Sequence, residues 1–87
     1  MPEERIGKVI HFWPRVGAAQ IELFEHALHV GDRVRIRGHG SDFVQAVESL
    51  EIEHVAKSEG WPGEHVALEV HQAVHDGDEV FLLKDKR

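Results

Sequence analysis

Eight histidines, sixteen acids and three serines are the side chains through which this 87-residue chain could do chemistry. His71 and His75 stand four apart and His26 and His29 three apart, spacings at which two imidazoles share a helix face and can chelate a metal. On strands and turns the same spacings do not bring two rings to one point. There is also no cysteine and no His-Glu-x-x-His motif to complete a ligand set, so no metal site is expected. Ser41, Ser49 and Ser58 lie in no Gly-x-Ser-x-Gly elbow. His39-Gly-Ser-Asp42 collects suitable types within one turn, where sequence neighbours seldom form a relay. Gly38-His-Gly40 opens like a phosphate loop but has Phe43 where a third glycine belongs. With Cys, Thr, Tyr and Asn all absent, thiol, threonine and tyrosine mechanisms are excluded. No catalytic residue is assigned, and the chain is expected to be no enzyme and to need no cofactor.

Binding chemistry is better represented. Arg33, Arg35 and Arg37 alternate with Val34 and Ile36, which sets three guanidinium groups on one strand face at intervals of about 6.5–7 Å. Such a stripe fits an RNA backbone clamp or a docking stripe for an acidic protein. It equally fits a solvated face balanced by acids on neighbouring strands, such as Glu22 or Glu51. Phe12-Trp13-Pro14-Arg15 joins a large apolar area to a cation in a turn, which suits a stacking platform, a docking hot spot or a plug over the core. Trp61, between Gly60 and Pro62, has the same choice of roles. Arg33, Arg35, Arg37, Trp13, Arg15 and Trp61 are therefore the candidate residues for binding RNA or a protein partner.

Length and charge bound these roles. Eighty-seven residues make a single small domain. The formal charge of −6 argues against holding nucleic acid or an anionic membrane by bulk charge. The charge is uneven: residues 1–40 carry six basic groups against five acids, and residues 41–87 four against eleven. A local anion site belongs in the first half. Met1-Pro-Glu-Glu-Arg5, with an acidic start and no apolar core, is not expected to act as a signal peptide, and no uncharged run exceeds six residues, against the ~20 apolar residues of a membrane span. A cytoplasmic protein is expected. The absence of Asn and Cys with 30% charged residues fits a heat-adapted host.

The elements that must carry these residues are short. Turn signals fall at Trp13-Pro14, Val30-Gly-Asp32, Gly38-His-Gly-Ser-Asp42, Glu59-Gly-Trp-Pro-Gly63 and Asp76-Gly-Asp78. Between them, Ile6 to Phe12 places Ile6, Ile10 and Phe12 on one face with Val9 opposite. Val34 and Ile36, and Val66, Leu68 and Val70, alternate with polar residues, and Glu79 to Leu83 is apolar on both faces. Ala18 to Val30 and Asp42 to Leu50 fit a helix as well as strands, the second needing a phase slip near Val47 that a β-bulge would supply. The pattern leaves an α+β fold open. No internal repeat stands out, although Asp76-Gly-Asp78 repeats the turn device of Val30-Gly-Asp32.

Three stretches stand in order along the chain: Leu28-His-Val-Gly-Asp-Arg-Val-Arg-Ile-Arg-Gly38, Phe43-Val-Gln-Ala-Val-Glu-Ser-Leu-Glu-Ile52, and Gly63-Glu-His-Val-Ala-Leu-Glu-Val70 followed by Val74-His-Asp-Gly-Asp-Glu-Val80. Together they resemble the second domain of translational GTPases such as elongation factor Tu. The likeness is also to the tail domain carried by some U32-family peptidases. It implies an all-β fold, a closed six-stranded antiparallel Greek-key barrel over residues 5–84 with flexible ends at 1–4 and 85–87, and it resolves both ambiguous segments as strands. There is no phosphate loop with its lysine, so the resemblance brings no GTP hydrolysis. His11-Phe-Trp-Pro-Arg-Val-Gly17 departs from the factors' glycine-arginine loop, so no ligand residue carries over. What the resemblance implies is a non-enzymatic binding module contacting tRNA or ribosomal RNA, or else a protein-interaction domain docking on a partner enzyme or factor.

Overall fold

Short apolar alternations separated by Gly, Asp and Pro leave little room for a helix, and the computed structural model, which describes residues 3–84, has none among them. Ten strands follow in order: β1 (Glu3–Trp13), β2 (Ala18–Leu23), β3 (Leu28–His29), β4 (Arg33–Gly38), β5 (Ser41–Ala46), β6 (Leu50–Ile52), β7 (Val55–Lys57), β8 (Glu59–Gly60), β9 (His65–Glu69) and β10 (Glu79–Leu83). Eight pair in one sheet in the order β5-β4-β10-β1-β2-β9-β6-β7, and β3 and β8 form a separate ribbon. Every pairing is antiparallel. Among the described residues, no helix is long and apolar enough to cross a membrane.

The all-β, antiparallel expectation holds. A closed six-stranded barrel is not found: among the described residues no backbone ladder joins the end strands β5 and β7. The reason lies in the chain facing β5. Past β9 it becomes irregular through residues 70–77 and cannot present a regular row of N–H and C=O groups. Side chains bridge instead. Buried Gln45 donates from Nε2 to the Glu69 carbonyl at 2.9 Å and accepts the His71 N–H at 2.8 Å, and buried Ser41 donates to the Ala73 carbonyl at 3.2 Å.

Both ambiguous segments are strands, but the expected bulge near Val47 is a break. The chain leaves β5 after Ala46, and Val47 exchanges bonds with Gly31 and Asp32 before β6 begins at Leu50. Val47 and Leu50 are thereby both buried. Bulges occur in β1 instead, between Arg5 and Gly7 and between Val9 and His11. They turn Ile6 and Val9 into the core and leave Ile10 half-buried, so the expected pairing of Ile6 with Ile10 gives way. Val34, Ile36, Val66 and Leu68 point inward as their alternation requires. Each buried aliphatic side chain contributes roughly 1.5–3 kcal/mol.

Strand β1 begins at Glu3, where Glu3 pairs with Leu83, so residues 3 and 4 belong to the sheet. Of the flexible ends expected at 1–4 and 85–87, residues 1–2 and 85–87 lie outside the described residues.

Two identical turns feed β4 and β10. In His29-Val-Gly-Asp32 and His75-Asp-Gly-Asp78 the aspartate carboxylate accepts the histidine N–H at 2.9 Å, and the aspartate N–H donates to the histidine carbonyl at 3.0 Å. The glycines have φ of 101° and 91°, a region L side chains avoid. The Asp78 carboxylate fills the space a Gly38 side chain would need, so a larger residue at 38 would displace it.

Candidate functional site

Small residues on the outer face of a sheet leave a trough. On the outer face of this one, Trp13, Ala18 and Glu69 stand opposite one another across β1, β2 and β9, and the next row is His11, Gln20, Ala67, Glu51 and Ala56. Alanine is uncommon in strands because it packs little surface, and here Ala18 and Ala67 form the floor of a groove of about 520 Å³.

Two hairpin tips wall the groove. On one side the chain reverses through residues 13–17, with Gly17 donating to the Trp13 carbonyl at 2.9 Å, and presents Trp13 and Val16. The His11 ring lies edge-on to Trp13 at 4.7 Å and 66°, a geometry that holds the indole in place. On the other side β6 and β7 are joined by a two-residue turn in which Glu53 and His54 both have positive φ, 53° and 68°. Such turns favour Asn-Gly, and each non-glycine residue held there stores roughly 1–3 kcal/mol. His54 lines the groove, with Glu51, Glu69 and Ser49.

The candidates from sequence fall in different places. Trp13 reaches the groove and Trp61 does not. Trp61 is 54% exposed against 37% for Trp13, on a turn closed by Glu64, whose carboxylate accepts the Trp61 N–H at 2.7 Å. Arg15 is exposed in the β1–β2 turn.

The arginine stripe is engaged by its own chain. Arg35 makes a two-pronged contact with Asp42 at 2.7 and 2.8 Å and reaches Glu3 at 2.8 Å. The hydrogen bonds it donates to Asp42 and then to Glu3 raise its pKa, and the Asp42 carboxyl is held below its usual range chiefly by the hydrogen bond it accepts from Arg35. The Arg37 guanidinium lies 4.7 Å from the Phe81 ring centre, a cation–π contact. Arg33 is exposed and also has an interaction within the chain. The neutralising acids on Arg35 are Glu3 and Asp42, not the Glu22 or Glu51 considered from sequence.

Histidines pair with carboxylates across the fold: His26 with Glu4 at 3.0 Å, His29 with Glu59 at 3.2 Å and His71 with Glu48 at 3.2 Å. Glu4 is also held below the usual carboxylate range, first by its hydrogen bond from Lys84. Among the described residues no three His, Cys, Asp or Glu side chains converge as metal ligands. Ser41 is occupied with Ala73.

Glu51, Glu69, His54 and the alanine floor were not candidates from sequence. The available signal was alanine at outward strand positions 18 and 67, two residues from exposed Glu69 in the second case.

No family model matches the chain. Over 81 residues it is 37% identical to an uncharacterized protease of Methanocaldococcus jannaschii, covering 92% of this chain and 20% of that protein. It is 29% identical over 83 residues to a collagenase of Porphyromonas gingivalis, covering 94% of this chain and 23% of the enzyme. The chain thus spans about a fifth of the length of these curated relatives. Among solved structures it matches the C-terminal domain of a Geobacillus thermoleovorans protein described as a U32 peptidase, with a TM-score of 0.85 at 20% identity over 93% of both chains. The selenomethionine variant of that domain gives 0.83 at 21% identity, over 88% of this chain and 96% of that one. The fold is therefore that of these C-terminal domains. The likeness to translational GTPases rests on the three sequence stretches alone.

Proposed function

We propose that this chain is a non-enzymatic docking module that binds a partner protein, with a U32-type peptidase body as the partner class. The observation that carries this function is one of extent: nearly all of the chain matches about a fifth of a protease and of a collagenase, and its fold is that of a peptidase's C-terminal domain. A domain of this size with the fold of a tail domain acts through surface. The exposed indoles of Trp13 and Trp61 are the residue type that dominates docking energetics. RNA contact through the arginines draws less support, because Arg35 is neutralised by Asp42 and Glu3.

The test is titration calorimetry of this chain against the Methanocaldococcus protease shortened by its matching segment. A one-to-one complex is expected whose affinity falls by no more than about tenfold from about 50 to 500 mM salt, the response of one or two ion pairs. No complex with that body, together with binding of tRNA that weakens about a hundredfold or more over the same range, would replace protein docking with RNA contact.

A further inference from the structure

We propose that the groove between the β1–β2 and β6–β7 hairpins receives an arginine or lysine side chain presented by the docking partner. This rests on the docking function above and adds the site and the chemistry of its occupant.

The groove has the parts a long cationic side chain requires. Its floor, Ala18 and Ala67, is small and apolar and accepts the methylene stem. Beside the floor stands Trp13, held by His11, with an indole that attracts a cation desolvated against it. Glu51 lies opposite Ala67, and Glu69 is two residues along β9 on the same face. The two carboxylates are thus diagonal neighbours, with Cα atoms about 7–8 Å apart. Both are exposed. Among the described residues neither side chain has an ion pair or hydrogen bond, whereas Glu3, Glu4, Asp42, Glu48, Glu59 and Glu79 are each paired within the chain.

Charge selects the occupant. Two like charges on one face with no counter-ion among the described residues repel each other, and a guanidinium or ammonium between them removes that repulsion while donating to both. A phosphate or an acidic peptide would meet the same pair unfavourably. The strained His54 turn closes the far wall, giving a bounded slot instead of an open acidic face.

The probe is a labelled heptapeptide, acetyl-Gly-Ser-Ala-Arg-Ala-Ser-Gly-amide, titrated into the ¹⁵N-labelled chain and followed by amide shifts. Its control carries citrulline, the uncharged isostere, in place of arginine. Saturable shifts are expected at Ala18, Glu51, Ala67, Glu69 and the Trp13 indole. Binding should weaken at least fivefold for the citrulline peptide and for the Glu51→Gln/Glu69→Gln variant, and less than twofold for Glu25→Gln, beyond the far end of β2. Unchanged melting of the Glu51→Gln/Glu69→Gln variant shows that it folds. The proposal is overturned if the groove residues do not shift at about 20 mM peptide, a concentration that detects a Kd weaker than 1 mM. It is also overturned if citrulline or the double variant binds within fivefold, or if oligouridylate shifts the same residues. These failures concern the groove alone, since binding of the peptidase body is measured separately.

Discussion

Gln45 hydrogen-bonds to the backbone of His71 as a neighbouring strand would. Its Oε1 accepts the His71 N–H at 2.8 Å while Nε2 donates to the Glu69 carbonyl at 2.9 Å, so one side chain joins β5 to the end of β9 where no ladder runs. The residue is 4% exposed, and the bonds it satisfies cannot be replaced by water without opening the core. Gln45→Leu removes the side-chain partner of three backbone groups, the His71 N–H and the Glu69 and Ala46 carbonyls, and is expected to cost about 2–4 kcal/mol. Urea denaturation of the variant measures it, and a loss below about 0.5 kcal/mol would mean the bridge is dispensable.

The β6–β7 turn offers a stabilising change. Glu53 and His54 occupy left-handed conformations that Asn-Gly adopts at little cost. Replacing Glu53-His54 by Asn-Gly is expected to raise stability by about 1–2 kcal/mol. Thermal melting reads the gain; a lower melting temperature would show that the two side chains make contacts outweighing the strain.

Acid should act through Asp42. Its pKa is lower folded than unfolded because of Arg35. Its contribution is therefore complete above the ordinary carboxylate value of about 3.9 and is lost as pH falls through the depressed folded value. Arg35→Met removes the cause, so the variant should lose less stability than the parent below about pH 4. Parallel acid-melting curves for the two proteins would contradict this.

The two tryptophans should respond differently to acrylamide and to cationic peptide. Trp61, the more exposed at 54%, should be quenched more strongly in the free chain. Free-chain quenching is read in the single-tryptophan variants Trp61→Phe and Trp13→Phe; the arginine peptide should shield Trp13 in Trp61→Phe and leave the Trp61 indole resonance of the unsubstituted chain unshifted. Shielding of Trp61 alone would move the docking contact to the Gly60–Gly63 turn.

Much of the fold was legible because its local signals agree. Val34 and Ile36, or Val66 and Leu68, alternate cleanly and lie in the core. The turn at Gly31 and its twin at Gly77 carry their glycines where positive φ demands them. Strand β1 was misphased because two bulges shift its register; Gly7 within the strand is the residue signal for the first, and the second, between Val9 and His11, carries no such signal. The break after Ala46 was hidden for a related reason: Gln45 reads as an ordinary polar strand residue, and only the distant segment 69–73 reveals it as a bridge. At the site, Trp13 was legible as a large aromatic in a turn. Its companions Glu51 and Glu69 were not, because register between distant strands, not sequence spacing, brings them together.

The central claim is that this chain docks on a peptidase body, and calorimetry of a graft tests it most directly. With this chain replacing the matching fifth of the Methanocaldococcus protease, the body is expected to melt as in the parent protein and above the shortened body, because docking to the folded state stabilises it. A graft whose body melts where the shortened body does, while the grafted chain unfolds at its own temperature, would contradict docking.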